Sequence, residues 1–132
     1  MKKSSTALRT PLGRVRGLGS AKAGTEHWWM MRVTSLALIA LTIYPLVMLY
    51  VEARFGTYAT LVEWARSPLS GTGIILFLGF GFHHTAHGLQ TVIEDYVHCE
   101  TTKTFSILAV KGLSLALFAL GSLATLKIMF GA

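Results

Sequence analysis

Charge is scarce in this chain. Of 132 residues 14% are charged, 6 Asp+Glu against 12 Lys+Arg, where soluble globular chains carry roughly a quarter. A water-soluble domain this small needs more charge to cover its surface, so the composition argues against a soluble enzyme and against a disordered chain. Cysteine is scarcer still. Cys99 stands alone, which rules out an intrachain disulfide and with it a disulfide scaffold. Residues 4–26 lack any apolar run. The Met-Lys-Lys start therefore does not read as a signal peptide, which needs an apolar stretch close behind its basic end. Internal repeats and low-complexity runs are also missing.

What is present is apolar. Hydrophobic residues make up 52% of the chain and the mean hydropathy is +0.55. The length suits one compact domain. Residues 33–51 are 19 in a row without formal charge, close to the roughly 20 that a helix needs to cross the hydrocarbon. Trp28 and Trp29 precede this run and Tyr50 nearly ends it, as an interfacial aromatic belt does. Pro45 lies inside; in lipid a proline kinks a helix more often than it ends it. A second run, 71–93, has 23 uncharged residues with His83, His84 and His87 near its middle. A third, 105–130, carries Lys111 and Lys127 near its ends, from where a long side chain snorkels to the interface. The expected architecture is an all-α membrane protein with three transmembrane helices at about 29–53, 70–97 and 104–130,. Residues 1–27 form a polar basic arm and 28–132 the anchor domain. Leu61, Val62, Trp64 and Ala65 suggest a short interfacial helix between the first two spans, and 98–103 reads as a polar turn.

Seven of the 12 basic residues lie in the first 32: Lys2, Lys3, Arg9, Arg14, Arg16, Lys22 and Arg32. Beside a span, such a cluster sets orientation rather than binding nucleic acid. It predicts a cytoplasmic N-terminus in a bacterial inner membrane, or the mitochondrial equivalent. The 52–70 loop then lies outside and the 98–103 turn inside. Small residues recur in the second and third spans, among them Gly79, Gly81, Gly88, Gly112 and Gly121. They let helices or a flat cofactor approach closely. Three spans close poorly on themselves, so a partner with further helices is expected.

The chemistry is concentrated in GFHHTAHGLQTVIEDYVH, residues 81–98. An ionisable side chain inside a span is costly and marks a functional candidate. Neutral imidazole ligates haem iron. Gly81 and Gly88 share the helix face of His84, giving the clearance a porphyrin edge needs. Spacing alone leaves His83, His84 and His87 all open as ligands, and leaves a zinc site open too. Zinc, however, usually wants Cys or acidic partners, which the span lacks at that depth. The plainer alternative is histidines hydrogen-bonded to neighbouring helices. Asp95 follows His84 by 11 residues, close to three full turns and about 16 Å along the axis. Tyr96 beside it offers a hydroxyl at the membrane boundary suited to a quinone carbonyl, with Asp95 to orient it or pass protons. The plainer alternative is an ordinary belt tyrosine and a solvated acid pair. Arg32 can meet a buried carboxylate such as a haem propionate, or snorkel. His27 is similarly placed.

The segment TPLGRVRGLGSAKAGTEHWWMMRVTS and the pattern H-x3-G-x6-D-Y-V-H resemble the hydrophobic membrane-anchor subunit of bacterial succinate dehydrogenase. This is the second anchor subunit of respiratory complex II, in its alphaproteobacterial and mitochondrial form. The resemblance spans nearly the whole chain. It implies that His84 is the axial ligand of a haem b shared with a partner anchor, with Gly88 beside it. It implies that Tyr96 and Asp95 belong to the ubiquinone-reduction site, and that Arg32, with His27 nearby, serves the haem propionates and the quinone pocket. It further implies three partners: a flavoprotein subunit with FAD, an iron–sulfur subunit with the clusters, and a second, cytochrome b556-type anchor. His87 stands where relatives usually have an apolar residue, and His83 directly precedes the ligand position. Flavin and iron–sulfur motifs are lacking, so the chain performs no succinate chemistry by itself. The alternatives from other classes are a cofactor-free structural or assembly subunit and a small transporter or proton channel.

Overall fold

The computed structural model describes residues 10–16 and 24–131. Most of the expected 1–27 arm thus lies outside the described residues. Among the described residues five helices follow in order: α1 (Pro11–Arg16), α2 (Gly24–Phe55), α3 (Tyr58–Arg66), α4 (Pro68–Tyr96) and α5 (Glu100–Phe130). The protein is an all-α bundle. α2 and α5 are each long and apolar enough to cross a membrane. α4 matches them in length with 29 residues, about 44 Å, but histidines and a terminal acidic pair interrupt its apolar character.

The helices outrun the apolar windows that announce them. α2 is already helical at Gly24, ahead of the tryptophans, and Glu26 in its first turn complements the N-terminal dipole,. It continues unbroken through Pro45 to Phe55. α5 begins at Glu100 rather than about 104. Glu100 again supplies a first-turn acid, and Lys103 Nζ lies 2.8 Å from its carboxylate. The turn between α4 and α5 shrinks to residues 97–99. α3 is the short helix expected from Leu61, Val62, Trp64 and Ala65; all four are half-buried while Glu63 and Arg66 face outward. Thr57 caps α3 by accepting from the Thr60 N–H, and Ser67 does the same for α4 through Ser70, so the two join with hardly a loop.

α4 lies in the middle and packs on both α2 and α5. Contacts between it and each neighbour pair rising numbers with falling ones, Leu38 with Gly81 and Met31 with Gly88, Phe118 with Gly79 and Leu78 with Gly121. Both packings are therefore antiparallel. The interior is small and polar: among the described residues Thr34, Ser70 and Thr125 are buried, and Ala86 is the one buried hydrophobic. Leu36, Ile43, Leu108, Leu115 and Leu120 are all mostly exposed. In water such an apolar exterior would aggregate; lipid or a partner's helices must cover it. Three threonine hydroxyls are satisfied within their own helices. Thr34 donates to the Met30 carbonyl at 2.7 Å, Thr42 to Leu38 at 2.6 Å and Thr125 to Gly121 at 2.8 Å, the back-bonding that lets Ser and Thr sit in apolar surroundings.

Candidate functional site

The three histidines of α4 take different roles because successive residues on a helix are turned by about 100°. His84 faces α2. Its Nδ1 lies 2.9 Å from Oγ1 of Thr34, which is 2% exposed, and its Nε2 makes no hydrogen bond among the described residues. His83 and His87 form a separate pair. Their rings stack at 4.1 Å between centroids, and His87 Nδ1 lies 2.9 Å from the His83 carbonyl. His27 of α2 leans on His87 at 5.8 Å, so the two helices also meet through imidazoles. Nδ1 of His83 is buried without a hydrogen-bond partner.

The glycines near His84 border α2. A β-carbon on Gly81 would meet Leu38 at 3.8 Å, and one on Gly88 would meet Met31 at 3.9 Å. Both glycines look toward α2, at ordinary contact distance. The face carrying Gly81, His84 and Gly88 is the α2–α4 seam, and His84 emerges along it.

On the other side of α4 a cleft of ≈ 320 Å³ opens toward α5, lined by Gly79, Phe82, His83, His87, Lys111 and Phe118 among others. Lys111, expected only to snorkel, thus borders the same cleft as two histidines. At the opposite end of the bundle Trp64 Nε1 donates to the Tyr44 hydroxyl at 3.2 Å, and that hydroxyl lies 3.3 Å from Ser70 Oγ. This cluster ties α2, α3 and α4 together and was not legible in local sequence patterns.

Asp95 and Tyr96 form the last turn of α4 and both are exposed, Tyr96 by 77%. That turn contains Glu94 and Asp95 and no basic residue. Two acids at the negative end of a helix dipole are locally unfavourable, by roughly 0.3–1 kcal/mol each. Glu94 is compensated by Gln90, which donates to it at 2.7 Å; Asp95 has no ion pair among the described residues. Arg32 lies with its guanidinium 5.2 Å from the Trp28 ring, a cation–π contact, and makes no ion pair among the described residues. No group of three or more His, Cys, Asp or Glu side chains gathers to hold a metal ion among the described residues.

Comparison with known proteins bears on what this arrangement serves. A model of the succinate dehydrogenase/fumarate reductase transmembrane subunit matches residues 6–121. Curated relatives include a succinate dehydrogenase hydrophobic membrane anchor subunit of Paracoccus denitrificans, 35% identical over 102 residues, covering 76% of this chain and 78% of that protein. One of the same description from Rickettsia bellii is 27% identical over 105 residues, covering 79% of this chain and 82% of the relative. A succinate dehydrogenase membrane anchor subunit of Reclinomonas americana is 26% identical over 92 residues, covering 68% and 77%. No solved structure matches significantly. With apolar helices of membrane length and kinship across most of its sequence, this membrane protein belongs to the succinate dehydrogenase/fumarate reductase transmembrane-subunit family, among its hydrophobic membrane anchors.

Proposed function

We propose that this chain is an anchor subunit of a succinate:ubiquinone oxidoreductase, crossing the membrane three times through α2, α4 and α5 with its N-terminus in the cytoplasm. Residues 28–132 form the membrane domain and 1–27 a basic arm. The chain has no activity alone. Electrons leave succinate in a flavoprotein subunit, pass the clusters of an iron–sulfur subunit, and reach ubiquinone at the inner rim, beside α4's C-terminal turn.

In this reading His84 supplies one axial ligand to a haem b and a second anchor supplies the other. The observation that carries it is the contrast among the histidines: His84 alone has one ring nitrogen held by a buried hydroxyl and the other unbonded, while His83 and His87 stack on each other. A single neutral imidazole with one nitrogen held fits an axial position. The haem, when bound, supplies a one-electron relay. Arg32 and His27 of α2 serve as partners for propionates, and Gly88 lies beside the ligand on the α2–α4 seam. Tyr96 donates its hydroxyl to a quinone carbonyl. Asp95, unpaired at a dipole end that disfavours it, orients that hydroxyl and passes protons as the quinone takes up two electrons and two protons.

The test is the purified complex. His84→Leu is expected to abolish the reduced-minus-oxidised b-type band while the flavoprotein and iron–sulfur subunits still co-purify. An unchanged band in that variant removes His84 from the site, and a parent complex without any band favours a cofactor-free anchor.

A further inference from the structure

The bond between Thr34 and His84 has a direction, and that direction decides which imidazole nitrogen is free. A threonine hydroxyl has one proton and two lone pairs. Thr34 Oγ1 lies 2.7 Å from the Met30 carbonyl and 3.2 Å from the Met31 carbonyl. Carbonyl oxygens only accept, so the hydroxyl proton is directed at them. Oγ1 can then meet His84 Nδ1 at 2.9 Å only as an acceptor, and the proton between them belongs to the histidine. A neutral imidazole carries one N–H, so placing it on Nδ1 leaves Nε2 bare, with its lone pair outward.

We infer that Thr34 is a positioning residue for His84: with its own proton committed to the α2 backbone, it holds His84 in the Nδ1–H tautomer and presents Nε2 as a ligand. The inference rests on His84 as haem ligand and goes beyond it by assigning the group that prepares the ligand. Burial makes the control stringent. At 2% exposure no water competes for Oγ1, so an Nε2–H tautomer would leave two lone pairs, on Nδ1 and Oγ1, facing each other at 2.9 Å. The relay also reaches from backbone to ligand without a carboxylate. A carbonyl orders a hydroxyl, and the hydroxyl orders an imidazole. Accepting the Nδ1 proton makes the ring more basic, which favours ferric over ferrous iron.

The test compares Thr34→Val, which keeps the shape without the oxygen, with Thr34→Ser, which keeps the oxygen, in the purified complex. Thr34→Val is expected to weaken haem retention about tenfold, as loss of an outer-shell partner typically does, and to shift the haem midpoint potential upward; Thr34→Ser should restore both. Wild-type retention and potential in Thr34→Val, while His84→Leu loses the haem, overturn the inference and leave the ligand assignment standing. A haem that survives His84→Leu overturns both. Independently of haem, nitrogen NMR of the full chain in liposomes, with labelled histidine, should find His84 protonated on Nδ1. Protonation on Nε2 overturns the inference, and this measurement decides the matter even if Thr34→Val fails to assemble.

Discussion

Leu78 on α4 occupies the space that a side chain on Gly121 of α5 would need: a β-carbon there would lie 2.8 Å from Leu78 Cδ1. The close approach of these two helices depends on that missing methyl. Gly121→Val should force them apart, at about 1–3 kcal/mol for an overpacked contact. The expected result is a lower temperature of subunit dissociation in the purified complex. Gly112→Ala is the matching control, since nothing lies within 4 Å of its missing β-carbon. Any loss of assembly there would locate a partner's helix against that turn of α5.

Tyr96→Phe removes one hydroxyl from an exposed position and leaves the helix intact. Loss of a single neutral hydrogen bond, roughly 1 kcal/mol, should slow succinate-dependent ubiquinone reduction about fivefold or more. Succinate oxidation by an artificial dye that accepts electrons upstream should be unchanged. Equal loss of both activities counts against Tyr96 in the quinone site.

Cys99 is the chain's one thiol and is exposed, which makes it a built-in reporter of sidedness. It lies in the turn between α4 and α5, at the same end of the bundle as the start of α2. A membrane-impermeant maleimide should label it from the cytoplasmic side only; labelling from the outer side would reverse the proposed orientation.

The same thiol gives a pH prediction. The Thr102 backbone N–H, then the Thr102 hydroxyl and the Thr101 N–H, hold the Cys99 thiol below its ordinary pKa by stabilising the thiolate,. Alkylation should therefore set in at lower pH than for an unassisted cysteine. Thr102→Ala removes the hydroxyl and keeps the backbone donor, so the profile should move part of the way back toward higher pH.

The bundle was largely legible in the sequence, because an uncharged run as long as 33–51 suits little besides a membrane span and because Leu61, Val62, Trp64 and Ala65 share one face. The helix starts were not. Glu100 and the residues after it are polar, and hydropathy does not register that a first-turn acid and the Lys103 ion pair support a helix as well as an apolar stretch does. The histidines were legible as a group and not as individuals. One residue along α4 is about 100° of rotation, and which ring meets a buried hydroxyl depends on Thr34, 50 positions away in sequence. Gly81 and Gly88 show the same limit. Their small size was readable, but that Leu38 and Met31 lie opposite them was not. Arg32 offered a choice between an anion and the interface, and in the isolated chain it rests on Trp28.

The hydroxyls that bond back to their own backbone bear on biogenesis. Thr34 and Thr42 on α2 and Thr125 on α5 are satisfied by their own backbone, so these hydroxyls need no neighbouring helix when α2 and α5 enter the bilayer. Insertion and pairing then become separate events. His84 Nδ1 meets Thr34 only once α2 and α4 lie side by side, which makes that contact a late product of assembly.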